Sequence, residues 1–394
     1  MGTGNLVSVD FVDSQTGYIF KDRHLLKTTD GGINWISTPL NIPNDVIVER
    51  GMFLDNNIGI FNIKSKVVYW SGGLYVTTDG GSNWNYYSPT ADGSLDLQSC
   101  TMISETNGFA SGVDVDILDI PVTPVIYKTT NSGLNWFLAD IGGGANNYAD
   151  IMFINPTTGF QCRFSILKTT NSGSSWFLHS QTFSQKTKFA KNFGDTMYMS
   201  SATGNVAKSI NLGANWIDYY TGVNKTLTDI FFIDNQNGFA IGDTGAIVKT
   251  TNGGINWTIQ NSGTTKRLNE VWFINNDTGF IAGDSGLLLV TYNGGVTSLS
   301  QNNQLIPGQF ILYQNFPNPF NPSTSMRFDI PRHSDVKLTV YNLLGKEVKI
   351  LVNESLDPGS YEYKFDAGGL PSGIYYFQLK STNILQTKKM VVVK

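Results

Sequence analysis

Cysteine and histidine are scarce in this chain: 394 residues hold two of the first and three of the second. His24, His179 and His333 stand far apart and no Cys-x-x-Cys pair occurs, which argues against a zinc site; no metal and no cofactor is expected. Cys100 and Cys162 fall in strand-like segments and read as two buried free thiols rather than as a disulfide. No apolar run of about 18 residues exists, so no helical membrane span is expected. Met1-Gly-Thr-Gly leads straight into patterned sequence, so no secretory signal peptide is expected within these residues. No long helical period is visible. Charged residues make up 15% of the chain, with a formal net charge of −4. Before residue 305 there are 17 Lys/Arg against 24 Asp/Glu, hence −7; from 305 onward there are ten against seven, hence +3. An acidic body of that kind is a poor ligand for a phosphate backbone, so no nucleic-acid partner is expected.

What the chain does have is a repeated box, Thr/Ser-x-Asp/Asn-x-Gly-x-x-Trp, in seven copies. The turn acceptors are Asp30, Asp79, Asn131, Asn171, Asn211, Asn252 and Asn293. The tryptophans are Trp35, Trp84, Trp136, Trp176, Trp216 and Trp257, with Thr297 in the seventh place. Spacings are 49, 52, 40, 40, 41 and 40 residues. Asp or Asn accepts backbone N–H groups across a tight turn, Gly supplies positive φ, and Trp opens the next strand and packs on a neighbouring sheet. These residues are therefore expected to be structural.

A second repeat interleaves with the first. Phe11…Gly17 matches Phe53…Gly59, Met102…Gly108, Phe153…Gly159, Phe232…Gly238 and Phe273…Gly279, with a degenerate copy near Phe189 to Asp195. Its polar centre reads as a hairpin turn between strands. Gly242–Gly245 and Gly283–Gly286 mark another turn. Each period then holds four strands, A to D, and a period near 40 residues signals a β-propeller with one blade per repeat. The fold class is all-β: a seven-bladed propeller over 1–299, a linker over 300–307 and an Ig-like β-sandwich over 308–394. Ring closure is left open between residues 296–301 and Met1–Leu6 as the last outer strand.

The C-terminal sandwich is read from period-two alternation at Val336/Leu338/Val340, Tyr361/Tyr363/Phe365 and Tyr375/Phe377/Leu379. It opens on Asn315-Phe-Pro317-Asn-Pro319-Phe-Asn-Pro. Val340-Tyr-Asn-Leu-Leu-Gly345-Lys-Glu-Val348, Gly359-Ser-Tyr361, Leu370-Pro-Ser-Gly373-Ile-Tyr375 and the basic-apolar end from Lys388 and Lys389 follow. This ordered set resembles the C-terminal sorting domain of type IX secretion cargo. The resemblance implies Sec export, handling by the type IX machinery through 308–394, and a secreted or outer-surface location on a Gram-negative bacterium. Such cargo begins with a signal peptide, so the chain is expected to be truncated, processed or engineered.

The box resembles the Asp-box, or bacterial neuraminidase repeat. With the run Gly242 to Gly254 the repeats look most like the photosystem II assembly/stability factor family, which implies a propeller acting as a binding scaffold, although that family's basic arginine patch has no evident match here. Sialidase chemistry needs three arginines on the axis, whereas Arg23, Arg50, Arg163 and Arg267 are the only arginines of this region and none is expected in a recurring inner-strand position. No carboxylate pair is singled out for glycoside hydrolysis. A non-catalytic module for a surface protein or polysaccharide is expected; a glycoside hydrolase and a structural subunit of an extracellular assembly are the alternatives.

From the A–B glycine to the box Thr the count is 18 and 21 residues in blades 2 and 3, against 10 to 12 in blades 1, 4, 6 and 7. The extra B–C residues carry Tyr69 and Trp70, and Asp114, Asp116 and Asp119; the neighbouring D–A loops are expected to hold Tyr86, Tyr87 and Tyr148. Exposed aromatics on clustered loops suit carbohydrate or protein recognition. Two bland readings stand beside this: Tyr69 and Trp70 as a packed strand extension, and the aspartates as solvated loop carboxylates rather than a Ca²⁺ loop.

Overall fold

The first six boxes each lie within a four-stranded antiparallel sheet, and a computed structural model of the chain contains seven sheets built from four consecutive strands each. It describes residues 4–66, 72–88, 95–115, 121–141, 150–162, 165–181, 186–190, 194–291, 294, 300–301, 310–330, 334–356, 359–381 and 384–393. Two compact units result, Met1–Gln301 and Asn302–Lys394. Among the described residues the single helix is a 3₁₀ turn, Asp243–Gly245, with Thr244 at φ 57°.

In the first unit the seven inner strands, Leu6–Phe11, Val46–Phe53, Leu95–Met102, Asp150–Phe153, Lys186–Phe189, Leu227–Phe232 and Leu268–Phe273, contact one another in succession, and the last contacts the first. They form a closed ring around an axis. The second repeat has a packing cause. A Cβ at Gly17, Gly59, Gly159, Gly238 or Gly279 would lie 2.5–2.7 Å from the ring of the Phe six residues earlier. That phenyl lies flat over the A–B hairpin, and only glycine leaves it room.

The boxes are the C–D turns. In the first, Thr28 Oγ1 donates to Asp30 Oδ1 (2.7 Å) and accepts the N–H of Gly32 (3.0 Å), while Asp30 Oδ1 also accepts the N–H of Asn34 (2.9 Å). The indole N–H of Trp35, Trp84, Trp136, Trp216 and Trp257 donates to the carbonyl of the glycine three residues back, at 2.9–3.1 Å. Blade edges meet through aromatic pairs: Trp35 sits edge-on to Phe11 and to Phe280 of blade 7. The lysine before the box reaches the next blade's box carbonyl, as Lys128 to Ser172, Lys208 to Gly253 and Lys249 to Gly294, at 2.6–2.8 Å.

Closure follows the first of the two options. Ser300–Gln301 pairs with Leu288–Thr291 as the outer strand of blade 7. The N-terminal strand is the inner strand of blade 1, so no strand is exchanged across the seam. Side chains hold it: Glu270 Oε2 accepts the Val9 N–H (2.9 Å), Asn269 Nδ2 donates to Leu6 O (2.8 Å) and Asn5 Oδ1 accepts the Ser285 N–H (2.9 Å). Cys100 and Cys162 are buried and not joined by a disulfide, and burial pushes the Cys100 thiol up to about 12.

The second unit has a three-stranded sheet (Ile311–Leu312, Ser323–Ile330, Gly359–Asp366) and a four-stranded one (Glu347–Leu356, Ser334–Asn342, Gly373–Ser381, Ile384–Val392). One apolar cluster, including Phe328, Leu338, Phe377 and Met390, draws on both sheets. The opening motif is part of this frame. Asn315 is buried, with Nδ2 donating to Pro317 O (3.1 Å) and Thr324 Oγ1 (3.0 Å). Pro317 and Pro319 follow cis peptide bonds. Gly345 sits at φ 76° in the turn where Asn342 Oδ1 accepts two N–H groups, and Tyr375 is buried with its hydroxyl on Pro371 O (3.0 Å). Gly359 and Gly373 begin strands, and Lys388 and Lys389 lie in the last one, where the Lys389 carbonyl accepts the Gln314 side chain at 2.7 Å.

Candidate functional site: the axial cavity of the propeller

Six of the seven inner strands carry the same irregularity: the pairing register with strand B shifts by one residue near the strand start. Such a bulge re-aims the residues after it. Immediately past it come Ser8, Arg50, Ser99, Lys188, Asp229 and Glu270; in blade 4 the equivalent place, by its pairing, is Asp150 at the strand start. Seven polar residues thus occupy one level of the inner ring, and five of them are charged. The sequence-based expectation for arginine is corrected here: Arg50 does stand at a recurring inner-strand position and lines the axis.

The charges at this level are paired. Arg50 Nη1 lies 2.7 Å from Asp150 Oδ1, which also accepts the Ser99 hydroxyl at 2.9 Å. Lys188 Nζ bonds Glu270 Oε1 and lies 3.1 Å from Asp229 Oδ1. That second contact is an ion pair without hydrogen-bond alignment, and Asp229 Oδ1 has no hydrogen-bond partner. The second oxygen of each carboxylate accepts an N–H from the following blade: Asp150 from Phe189 (3.0 Å), Asp229 from Val271 (2.8 Å) and Glu270 from Val9 (2.9 Å). Each acid therefore joins two blades and offsets a cation. Burial of this kind strengthens every such contact and makes an unpaired charge costly.

Two residues further along strand A stand Asp10, Met52, Thr101, Phe231 and Trp272. These residues, with Arg50, Lys188, Asp229 and Glu270 of the charged level and the first turn residues Val12, Leu54, Ile233 and Ile274, line a cavity of about 700 Å³. Phe231 and Trp272 have ring centroids 5.3 Å apart. The lining extends toward the A–B turns, the face that also carries the boxes. Asp10 is buried, and Oδ2 accepts the Phe53 N–H at 2.9 Å. Among the described residues no cation pairs with it. Burial, reinforced by Glu270, holds its carboxyl up at about 7, and burial raises Asp229 to about 6.

A pH prediction follows from these two acids. Their folded pKa values lie above the usual carboxylate value, so the native state binds more protons than the unfolded one between about pH 4 and 7, and their contribution to stability is lost as pH rises through that window. Asp10→Asn is expected to stabilise the protein at pH 8 by about 1–3 kcal/mol and to leave it unchanged at pH 4. Urea unfolding at both pH values checks this; an equal effect at both would mean that Asp10 does not titrate in the window.

The recognition wall expected on blades 2 and 3 is only partly visible. Tyr69, Trp70, Asp116, Asp119 and Tyr148 lie outside the described residues, as does Asn293 of the seventh box. Tyr86 and Tyr87 are not in a D–A loop: they form the outer strand of blade 2, Asn85–Tyr87. Three residues suffice to pair with strand C there, so the chain leaves the sheet after them. Tyr87 donates its hydroxyl to Trp136 O (2.9 Å), tying blade 2 to blade 3, whereas Tyr86 is half-exposed and packs on Tyr75 at 5.0 Å. Asp114 lies on strand B of blade 3, paired with Thr123, because that strand runs to Val115 and strand C begins at Pro121. Much of the extra length of blade 3 is thus a longer hairpin. Among the described residues no group of three or more His, Cys, Asp and Glu side chains is placed to hold a metal, and no helix is long and apolar enough to cross a membrane.

The sequence does carry a signal for the axial level. Counting three back from the terminal Phe or Met of the six regular second-repeat copies gives Ser8, Arg50, Ser99, Asp150, Asp229 and Glu270, all polar.

Comparison with known proteins places this geometry. The family model "Photosynthesis system II assembly factor YCF48" matches residues 208–318, and the model "Secretion system C-terminal sorting domain" matches 314–394. Among solved structures, YCF48 from Cyanidioschyzon merolae aligns at TM-score 0.57 and 16% identity, covering 74% of this chain and 96% of that one. A YCF48 bound to a D1 peptide aligns at 0.56 and 19% identity, covering 74% and 92%. The WD40 propeller domain of Doa1 aligns at 0.55 and 9% identity, covering 74% and 93%. At these identities the structural likeness shows the propeller fold alone. No curated protein matches the chain. Residues 314–394 are a secretion system C-terminal sorting domain, and the body they follow is a β-propeller similar to those of the YCF48 assembly factors.

Proposed function

We propose that the protein is delivered to the cell surface or medium through its C-terminal domain and acts there as a non-catalytic binding module, with the axial cavity of the propeller as its ligand site. The carrying observation is that cavity: about 700 Å³, lined by aromatic and aliphatic side chains with a few fixed charges, the composition of a small-ligand or side-chain pocket. The charged level beneath it supports binding rather than turnover. Asp150, Asp229 and Glu270 each accept a backbone N–H from the following blade and face a cation, so these contacts hold blades together. The solved YCF48 bound to a D1 peptide is a propeller of similar fold in a peptide complex, which supports a peptide or protein as the class of partner. Half-exposed Tyr86, on the outer strand of blade 2, marks a second candidate surface, for a polysaccharide.

Export is tested in a bacterium that has a type IX system, expressing the full-length gene with a signal peptide, with and without residues 305–394. The deletion is expected to abolish appearance in the medium and on the surface; unchanged export overturns the sorting role. One observation favours the alternative of glycoside hydrolysis: Asp10, at about 7, has the pKa of a general acid. Turnover of any glycoside, abolished by Asp10→Asn with the fold intact, would overturn the non-catalytic reading.

A further inference from the structure

The charges that line the axial cavity do not balance. Three carboxylates of the lining, Asp10, Asp229 and Glu270, face two cations, Arg50 and Lys188. Arg50 is taken by Asp150, and Lys188 is shared by Asp229 and Glu270. Asp10 is 7% exposed and has no cation partner among the described residues. Asp229 is 2% exposed, and its Oδ1 has no hydrogen-bond donor although the residue lines the cavity. A buried carboxylate such as Asp10 is costly unless a positive charge or a proton reaches it, and Asp229 has only a share of the Lys188 charge, 3.1 Å from its Oδ1. Above the charged level, Phe231, Trp272 and Met52 offer faces that suit methylene groups and the attraction of a cation to an aromatic ring.

Resting on the reading that the axial cavity is the ligand site, we infer that it takes a cationic group on an apolar stem, a primary ammonium or guanidinium, which Asp10 and Asp229 draw in while Phe231 and Trp272 flank the stem. The requirement is charge plus stem. A bare inorganic cation would leave the aromatic lining unused, and an anion would add to an existing negative excess. Two sources share this chemistry: the side chain of a lysine or arginine presented on an extended peptide, and a free alkyl amine.

The test uses the whole chain and isothermal titration, with Trp272 replaced by Phe as a second variant. The probes are 1,5-diaminopentane, a capped five-residue peptide with a central lysine, and the same peptide with central norleucine, N-acetyl-lysine or glutamate. The lysine peptide is expected to bind at least about tenfold more tightly than the norleucine and acetyl-lysine peptides, and the glutamate peptide least. Asp10→Asn keeps an acceptor for the Phe53 N–H and is expected to erase the preference for lysine over norleucine, while Trp272→Phe weakens both alike. Binding of the diamine as tight as that of the lysine peptide assigns the free amine as source; weaker diamine binding assigns the peptide. Equal affinity for lysine and norleucine, or preference for glutamate, overturns the charge assignment and leaves the axial cavity standing as the site. Binding of no probe, or binding insensitive to Trp272→Phe and Asp10→Asn alike, overturns the cavity reading as well.

Discussion

Trp136→Ala is expected to cost the propeller about 3–5 kcal/mol, the range for deleting a buried large aromatic. Of the box tryptophans Trp136 is the one most fully buried, at 5% exposure, and it belongs to the apolar cluster that joins blades 2 and 3 through Ile60, Leu74, Leu97 and Met102. Its indole N–H closes the turn on Gly133 O, and its own carbonyl receives the Tyr87 hydroxyl. Truncation therefore opens a cavity, frees a turn carbonyl and disturbs a bond between blades. Urea denaturation followed by circular dichroism reads the shift in midpoint. As a contrast, Trp70→Ala is expected to change stability little if Trp70 serves a surface; equal losses for the two would place Trp70 in the core.

The second large effect concerns the axial ion pairs. Asp150→Ala is expected to destabilise by about 2–4 kcal/mol, because Arg50, partly buried, then keeps its charge without its paired carboxylate, and the Phe189 N–H loses its acceptor. Asp150→Asn retains an acceptor and should cost less. The partnership is tested by adding Arg50→Met: when both partners become neutral, much of the loss is expected to return, since a buried pair replaced by apolar groups is often nearly neutral in stability. A double variant as unstable as the sum of the two single ones would mean that the pair has no mutual interaction. The cycle also separates the blade 4–5 hydrogen bond, which Arg50→Met leaves untouched, from the charge pairing.

How far the fold could be read from sequence depends on what kind of signal each part leaves. Box residues such as Asp30, Gly32 and Trp35 do local work within eight positions, so their pattern survives in a linear text and yields the count of seven. The Phe–Gly spacing is legible for the same reason: one ring covers one hairpin. The axial level is not local. Ser8, Arg50, Ser99, Asp150, Lys188, Asp229 and Glu270 differ in type and sign, and become one site only when seven strands converge. Arg50 therefore looked isolated in sequence, where its partner Asp150 lies 100 residues away. Loop length misled in the other direction. Extra residues in blade 3 lengthen a hairpin as far as Asp114 and Val115, and Tyr87, read as a loop aromatic, ends a short strand and ties two blades.

The seam between blades 7 and 1 has a consequence for how the body assembles. Within each blade, pairing joins neighbours in the chain, so strands meet after short searches. Closing the circle is different: Glu270 must find Val9, 261 residues away, and no exchanged strand registers the two edges beforehand. Contacts of such separation are slow to form, because a long loop has to be closed before any bonding offsets its entropy. Six or seven formed blades can therefore exist as an open arc with two bare edges. That arc is the species in which an edge could join another copy instead of its own first blade. Since Ser300–Gln301 completes the last blade immediately before the second unit begins, the arc cannot close in full until nearly the entire body is present, whichever end leads.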